Sequence, residues 1–197
     1  IQQLCEYAHQ FGARVYVTIN TIIYEDELAA TKEMLEALNT IGVDALLVQD
    51  MGILELIEHW DAKVPFRMEL HASTQTDNRT AEKVRWLKEV GFKRAVLARE
   101  LSAREIARIH HAVPEMDLEV FVHGALCVSY SGVCYASQHC FHRSANRGEC
   151  AQFCRMKFDL LDSNQHEVEH QRHLLSMRDM CQLEHLQELA ESGACSF

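Results

Sequence analysis

Short apolar runs alternate with amphipathic stretches along the first two thirds of the chain, and this alternation constrains the fold more than any other feature. The amphipathic stretches 26–40 and 78–90 repeat apolar residues at the spacing of one helix face. Ser102 and Glu105 have the spacing of a capping box that begins a further helix. Strands that alternate with helices predict βαβ units and a parallel sheet. The five apolar runs predicted to be strands are 13–19, 44–48, 66–70, 94–97 and 118–122.

A short sequence motif recurs at the transitions from predicted helices to predicted strands. Gly42, Gly91 and Gly193 each follow a helix and precede an apolar run, and glycine beyond a helix end permits a left-handed C-cap. The third copy stops where its strand begins, and the stretch 1–11 predicts a helix with no strand before it. A closed barrel needs eight strands and about 250 residues. We therefore expect one domain over residues 1–197, a partial (β/α)8 TIM-type barrel truncated at both ends.

Composition and charge favour a soluble, cytoplasmic protein. No run approaches the roughly 20 apolar residues of a membrane-spanning helix, and the N-terminus does not resemble a signal peptide. The formal net charge of −10 argues against loose binding of nucleic acid over the whole surface, although it permits a local basic groove. Because the cytosol is reducing, eight cysteines indicate metal binding or catalysis more than disulfides.

Polar residues follow each predicted strand, at the end where barrel enzymes place their chemistry. Taken singly, each is more simply interpreted as a capping or solvated loop residue, but together they outline a polar rim. We expect His71, Arg99, Glu100 and His123 to line one substrate pocket. The histidines would transfer protons or donate hydrogen bonds, and Arg99 would bind an anionic group. Equivalent positions after the first three strands hold Asn20, Gln49, Asp50, Ser73 and Gln75.

An irregular cysteine-rich segment, 124–155, follows the fifth predicted strand as an insertion. Five of the eight cysteines fall between Cys127 and Cys154. Four thiolates are needed to complete a zinc or an iron–sulfur site. Only Cys150 and Cys154 have the close spacing that is usual for zinc ligands, so the wider spacings favour a bulkier iron–sulfur cluster. The expected ligands are Cys127, Cys134, Cys150 and Cys154.

Other interpretations of these thiols stay open. They could hold structural zinc, or they could be small buried side chains in a reduced protein. Cys181 is a substitute for one of the four expected ligands. Cys140 is not expected to bind metal. Cys5 and Cys195, which lie in a predicted helix and at a strand start, are expected to pack in the core.

The run 119–127, followed by 132–134 and Ser137, resembles the defining motif of the collagenase-like peptidase family, whose mechanism was long unassigned. Ala136 departs from the motif, which prefers a larger aliphatic residue there. The resemblance covers nearly the whole chain. Three further segments are similar to the family: 69–75, 98–102 and 146–150.

Membership of this family implies a barrel with an iron–sulfur cluster, expected to be of the [4Fe–4S] type. Some members are described as collagenases, whereas relatives that this chain resembles hydroxylate transfer or ribosomal RNA or act in ubiquinone hydroxylation. A peptidase needs an activated nucleophile or a metal-bound water, and the sequence contains neither a Gly-x-Ser-x-Gly nor a His-Glu-x-x-His motif.

We therefore expect an iron–sulfur-dependent RNA-modifying hydroxylase that acts on tRNA or rRNA. A peptidase that uses Cys127 and His123 on a peptide substrate is the first alternative. A non-catalytic subunit that carries the cluster for a partner subunit is the second.

Overall fold

The structure is a computed structural model that describes residues 1–61 and 63–197. These residues form two compact units. The first contains residues 1–121 and 187–197, and the second contains residues 122–186. Within the described ranges, no helix combines the length and the apolar character needed to cross a bilayer.

A six-stranded parallel sheet organises the first unit. In spatial order, its strands are β1 (Tyr16–Ile19), β2 (Ala45–Val48), β3 (Glu69–Ala72), β4 (Arg94–Val96), β5 (Asp117–Glu119) and β10 (Ala194–Ser196). The helices between and beside them are α1 (Gln2–His9), α2 (Leu28–Ile41), α3 (Gly52–Glu58), α4 (Ala81–Glu89), α5 (Ala103–Ala112) and α7 (Leu186–Glu191). Strand order thus follows chain order, as repeated βα units require.

One face of this sheet is apolar and completely covered. Val48, Ala72, Ala95 and Leu118 stand side by side in register on four neighbouring strands, and each is buried. Burying one such leucine stabilises the fold by about 2 kcal/mol. The helices contribute the opposing apolar layer, through the buried side chains of Leu35, Leu38, Val84, Leu87, Ile106 and Ile109.

The other face of the sheet is polar. His71 is in register with Arg94, and Glu119 is in register with Ser196. Because successive side chains of a strand point to opposite faces, these four lie opposite the apolar layer. The core of the first unit therefore sits between the sheet and its helices.

The predicted alternation of strands and helices is confirmed, but the third strand is displaced. It was expected at 66–70 and begins at Glu69 instead. The residues before it are held by side chains, since the N–H of Arg67 donates to Asn39 Oδ1 at 2.9 Å and the ring of Phe66 packs on Trp60. His71 consequently lies inside β3 and not after it.

The ends of the helices agree with those predicted from the sequence. Gly42, Gly91 and Gly193 have φ angles of +90°, +102° and +97°, which confirms the predicted left-handed caps. Ser102 and Glu105 form the predicted capping box at the start of α5.

Two further predictions concern the last strand and its cysteine. A strand does form there, as β10 beside β5. The prediction that Cys5 is buried is confirmed, but the same prediction for Cys195 is wrong because its side chain is exposed. The register of β10 shifts between Ala194 and Ser196, and such an irregularity in an edge strand turns the intervening side chain out of the regular alternation.

The second unit is built from short elements. Strand β6 (His123–Gly124) pairs antiparallel with β9 (Met180–Cys181), and β7 (Phe158–Leu161) forms a hairpin with β8 (Glu167–Arg172). The one α-helix described there is α6 (Ala136–Phe141). The cysteine-rich segment 124–155 lies within this unit.

Candidate cofactor site

The thiols of the second unit are accessible. Cys127 and Cys150 are exposed, and Cys134 and Cys154 are half-buried. Thiols that served only to fill a core would be buried. The exposure of Cys127 and Cys150 does not favour the interpretation of these residues as core side chains.

Ser137 fixes the position of Cys150. Its hydroxyl accepts a hydrogen bond from the N–H of Ala151 at 3.0 Å and lies 3.9 Å from the Cys150 sulfur. The N–H of Gln152 also points at that sulfur, at 3.4 Å. Such donors orient a sulfur and would hydrogen-bond a metal-bound thiolate.

Arg155 joins three separate parts of the second unit. Its guanidinium donates to the carbonyl oxygens of Leu126 and Met177, the latter at 3.0 Å, and to the hydroxyl of Ser176 at 3.1 Å. These groups lie next to or near Cys127, Cys154 and Cys181 in the chain. The sequence analysis gave no role to Arg155 or to Ser137, and a polar residue beside predicted ligands was the only available signal.

The pairing of β6 with β9 brings Cys181 to the start of the cysteine-rich segment. His123 is directly opposite Cys181 in this pairing, and Cys127 follows four residues after His123. Cys181 is exposed. It is therefore well placed to act with Cys127, whereas Cys154 lies in the next turn after Cys150.

The spacing of the thiols bears on the kind of metal. Four thiolates around one zinc ion at about 2.3 Å lie within about 4 Å of one another. Among the described residues, the only set of three or more ligand atoms that lies within 4.8 Å consists of Asp159, Glu167 and His170, on the β7–β8 hairpin. The cysteines described here form no such set.

His71 is fully buried within the polar face of the sheet. Its Nε2 lies 3.2 Å from the carboxylate of Glu69, and its ring meets that of Tyr16 edge to face at 4.9 Å. Its Nδ1 has no hydrogen-bond partner among the residues described. Burial lowers the pKa of His71, although its hydrogen bond to the Glu69 carboxylate opposes this. The neutral imidazole is therefore favoured near pH 7.

Arg94 is the second buried group of the polar face. Its Nη1 lies 3.1 Å from the Glu119 carboxylate and 3.2 Å from the Ser196 hydroxyl. Burial works against its charge, but Glu119 and other neighbours raise its pKa. The sequence analysis missed Arg94, Glu119 and Tyr16, although each alternates with apolar residues inside a predicted strand.

The other predicted pocket residues have separate partners. The Arg99 guanidinium carbon lies 6.0 Å from the ring centre of Phe121, and Glu100 forms an ion pair with Arg79 at 3.3 Å. His123 belongs to the second unit. The convergence of these residues with His71 on one pocket stays a prediction.

Several neighbouring polar residues have structural roles. The carboxylate of Asp50 accepts hydrogen bonds from the N–H groups of Ile23 and Gly52, at 2.8 and 2.9 Å. The buried amide of Asn78 donates to the carbonyl oxygens of Ser73 and Val96, at 3.0 and 2.9 Å. These contacts brace the loops at the carboxyl ends of the strands. For Asp50, the simpler capping interpretation is confirmed.

The peptidase alternative gains no support from the geometry. No hydrogen bond joins the side chains of His123 and Cys127, both of which the structure describes. A Cys–His dyad needs such a contact, or one that forms with substrate bound.

Comparison with known proteins settles the family. The model of peptidase family U32 matches residues 1–197, the whole chain. The chain belongs to peptidase family U32. This confirms the resemblance to collagenase-like peptidases seen in the sequence.

Curated relatives of this U32 chain carry different names. It is 48% identical over 197 residues to the 23S rRNA 5-hydroxycytidine C2501 synthase of Escherichia coli, and this match covers 100% of this chain and 29% of that protein. It is 37% identical over 159 residues to tRNA hydroxylation protein P1 of Bacillus subtilis, across 81% of this chain and 36% of that protein. A collagenase of Porphyromonas gingivalis is 28% identical over 210 residues, across 100% of this chain and 49% of that protein.

The U32 chain thus spans less than half the length of these three relatives. The solved structure of the U32 peptidase Mk0906 matches 63% of this chain and 51% of its own, with a TM-score of 0.51 and 18% sequence identity. That likeness supports the α/β fold with its parallel sheet.

Proposed function

We propose that this chain is the cluster-bearing part of an RNA hydroxylase that acts on a pyrimidine base of ribosomal RNA. The observation that carries the proposal is the 48% identity, over the whole chain, to a 23S rRNA 5-hydroxycytidine synthase. The relationship to tRNA hydroxylation proteins supports the same reaction class. Transfer RNA is the alternative substrate within that class.

The cofactor in this proposal is an iron–sulfur cluster, of the [4Fe–4S] type. The residues present fit it, because soft thiolates are its usual ligands and none of the four thiols is buried. Cys127, Cys134 and Cys150 would supply three ligands. The fourth is Cys154 or Cys181, and the β6–β9 pairing favours Cys181. When bound, the cluster supplies electron-transfer chemistry.

The chain's own residues would support that site in two ways. Ser137 and the N–H of Gln152 hold the Cys150 sulfur, and Arg155 holds the stretches that carry the other thiols. In the first unit, neutral His71 would be available to accept a proton, and Arg99 would position an anionic part of the substrate.

We also propose that the sheet is part of a (β/α) barrel in the complete protein. Its strands follow chain order, and a fully buried apolar layer covers one face while charged side chains occupy the other. In a barrel the helices lie outside and the second face points inward. A doubly wound sheet would instead reverse its strand order and be covered on both faces.

The test uses RNA from a strain that lacks the full-length gene, complemented with wild type, Cys127→Ala or Cys5→Ala. Mass spectrometry of nucleosides should show a hydroxylated pyrimidine with wild type and with Cys5→Ala, and its loss with Cys127→Ala. Anaerobically purified wild-type protein should contain iron and acid-labile sulfide. Unchanged rRNA and tRNA modification in the deletion strain would refute the proposal.

A further inference from the structure

We propose that the exposed face of α6 in the second unit is an RNA-binding surface that holds an unpaired stretch of the substrate on the helix whose inner side contacts the segment of Cys150. This inference rests on the proposed function and adds the place where the RNA binds. The surface, here called the α6 face, consists of Tyr135, His139, His142 and Arg143, all of which are exposed.

The geometry of α6 collects these side chains on one side. The N–H of His139 donates to the carbonyl oxygen of Tyr135 at 2.9 Å, and the N–H of His142 donates to that of Gln138 at 3.1 Å. The helical hydrogen bonds thus run from Tyr135 to His142, and Arg143 follows the left-handed C-cap at His142. Residues three or four positions apart share a helix face. Ser137 is buried and lies on the other side of the helix.

An exposed tyrosine suits an unpaired base. Tyr135 is 63% exposed, so much of its ring is accessible to a ligand. Single-stranded RNA is recognised by bases that stack on aromatic side chains, whereas bases within a duplex are already stacked. The α6 face therefore fits an unpaired segment better than a helical one.

The charge around α6 differs from that of the whole chain. Residues 122–157 contain four basic residues, Arg143, Arg147, Arg155 and Lys157, against the single acid Glu149, whereas the chain carries a net charge of −10. Arg155 is engaged within the unit. Arg143 follows His142 directly, and Arg147 lies in the turn that packs against α6. RNA would be repelled by most of this acidic chain, so this local excess of positive charge is where its phosphates would be attracted.

The inner side of α6 contacts the segment that carries Cys150. Ser137, on the inner side of the helix, bonds the N–H of Ala151 and lies 3.9 Å from the Cys150 sulfur. The segment that carries Cys150 thus packs on the inner side of α6. A base stacked on the α6 face would lie across this one helix from the Cys150 segment.

The experiment measures binding of a fluorescein-labelled, mixed-sequence 20-nucleotide single-stranded RNA to the full-length holoprotein by fluorescence anisotropy. Tyr135→Ala should raise the Kd about tenfold, while Tyr135→Phe, which keeps the ring, should bind like wild type. Arg143→Ala should weaken binding and reduce the slope of log Kd against log salt concentration by about 0.7, the value for one lost phosphate contact.

Matched controls come from the first unit. Tyr7 is 62% exposed, and Arg85 is exposed on α4. Tyr7→Ala and Arg85→Ala should leave Kd and salt slope unchanged. Iron content should be at the wild-type level in every variant, which separates a lost RNA contact from a damaged site.

The outcomes are distinct. If wild type binds RNA and both α6 variants bind it equally well, the inference is overturned while the proposed function stands. If wild type neither binds RNA nor restores modification in the deletion strain, both fail. If the variants lose affinity for labelled polyglutamate but not for RNA, the α6 face is an acidic-peptide site and the inference is wrong.

Discussion

His123 and Cys181 lie directly opposite each other in the antiparallel pairing of β6 and β9, although 58 positions separate them in the sequence. This pairing places Cys181 beside the strand that leads to Cys127. It is the reason for preferring Cys181 to Cys154 as the fourth thiolate ligand.

The first prediction follows from that pairing. Cys181→Ala should remove most of the bound iron, because a cluster that loses one of four thiolates is opened to solvent. Cys154→Ala should retain most of it. Iron and sulfide analysis after anaerobic purification provides the measurement, and Cys5→Ala, in which the altered residue is buried in α1, is the control. The reverse result would identify Cys154 as the ligand.

Arg155→Lys tests whether the second unit needs a fixed guanidinium. Lysine keeps the charge but cannot donate in several directions from a planar group to Leu126, Ser176 and Met177. We expect iron occupancy to fall to about half or less while circular dichroism stays native. Arg172→Lys, an exposed change on β8, should have no effect. Full occupancy in Arg155→Lys would mean that these hydrogen bonds do not organise the site.

Burial of His71 predicts a pH-dependent stability. Because its pKa is lowered in the folded state, the unfolded chain binds the proton more readily. The stability contributed by neutral His71 is complete above pH 6.5, the ordinary value, and is lost as the pH falls below it. Urea unfolding between pH 5.5 and 7.5 should show this slope in wild type and a flatter one in His71→Leu. His59→Gln, at an exposed position, should keep the wild-type slope.

Gly193 approaches the ring of His110 closely. A Cβ at position 193 would lie 2.2 Å from His110 Cγ, and the φ of +97° is itself unfavourable for other residues. Gly193→Ala should lower the free energy of unfolding by more than the roughly 1–3 kcal/mol of backbone strain alone. Gly42→Ala, with φ of +90° and open space around its Cβ, measures that strain by itself.

A second substitution separates the two causes. Adding His110→Ala to Gly193→Ala removes the clash and should recover part of the loss, a non-additivity that unfolding in urea can detect. Equal destabilisation by Gly193→Ala and Gly42→Ala would show that the histidine yields without cost.

Much of the first unit was predictable because local patterns agree with tertiary packing there. The apolar runs that form β1, β2 and β4 alternate with helices. The start of α5 is recognisable in the sequence from its N-cap, Ser102. The third strand was misplaced because Asn39, far away in the chain, holds the backbone at Arg67 outside the sheet. No local pattern contains that information.

The candidate site was only partly predictable for the same reason. Cysteine spacing identified the segment, but Cys181 comes near Cys127 only through a strand pairing of two residues on each side, too short to leave a periodic signal. His71 was chosen for its place after a strand and proves to lie within one. Its neighbours Tyr16 and Arg94 were taken for ordinary strand residues until the register placed them beside it.

The last strand of the sheet reaches its place only after the chain has passed through the whole second unit. Strand β10 pairs with β5 across about 75 residues, and closing so long a loop carries an entropy cost during folding. The hydrogen bond from the N–H of Gln182 to the Val122 carbonyl, at 2.7 Å, ties the two ends of that loop together. Any interaction that orders the second unit, including binding of the proposed cofactor, would therefore lower the entropy cost of pairing β10 with β5. We therefore expect binding of the proposed cofactor and completion of the sheet to be coupled steps of maturation.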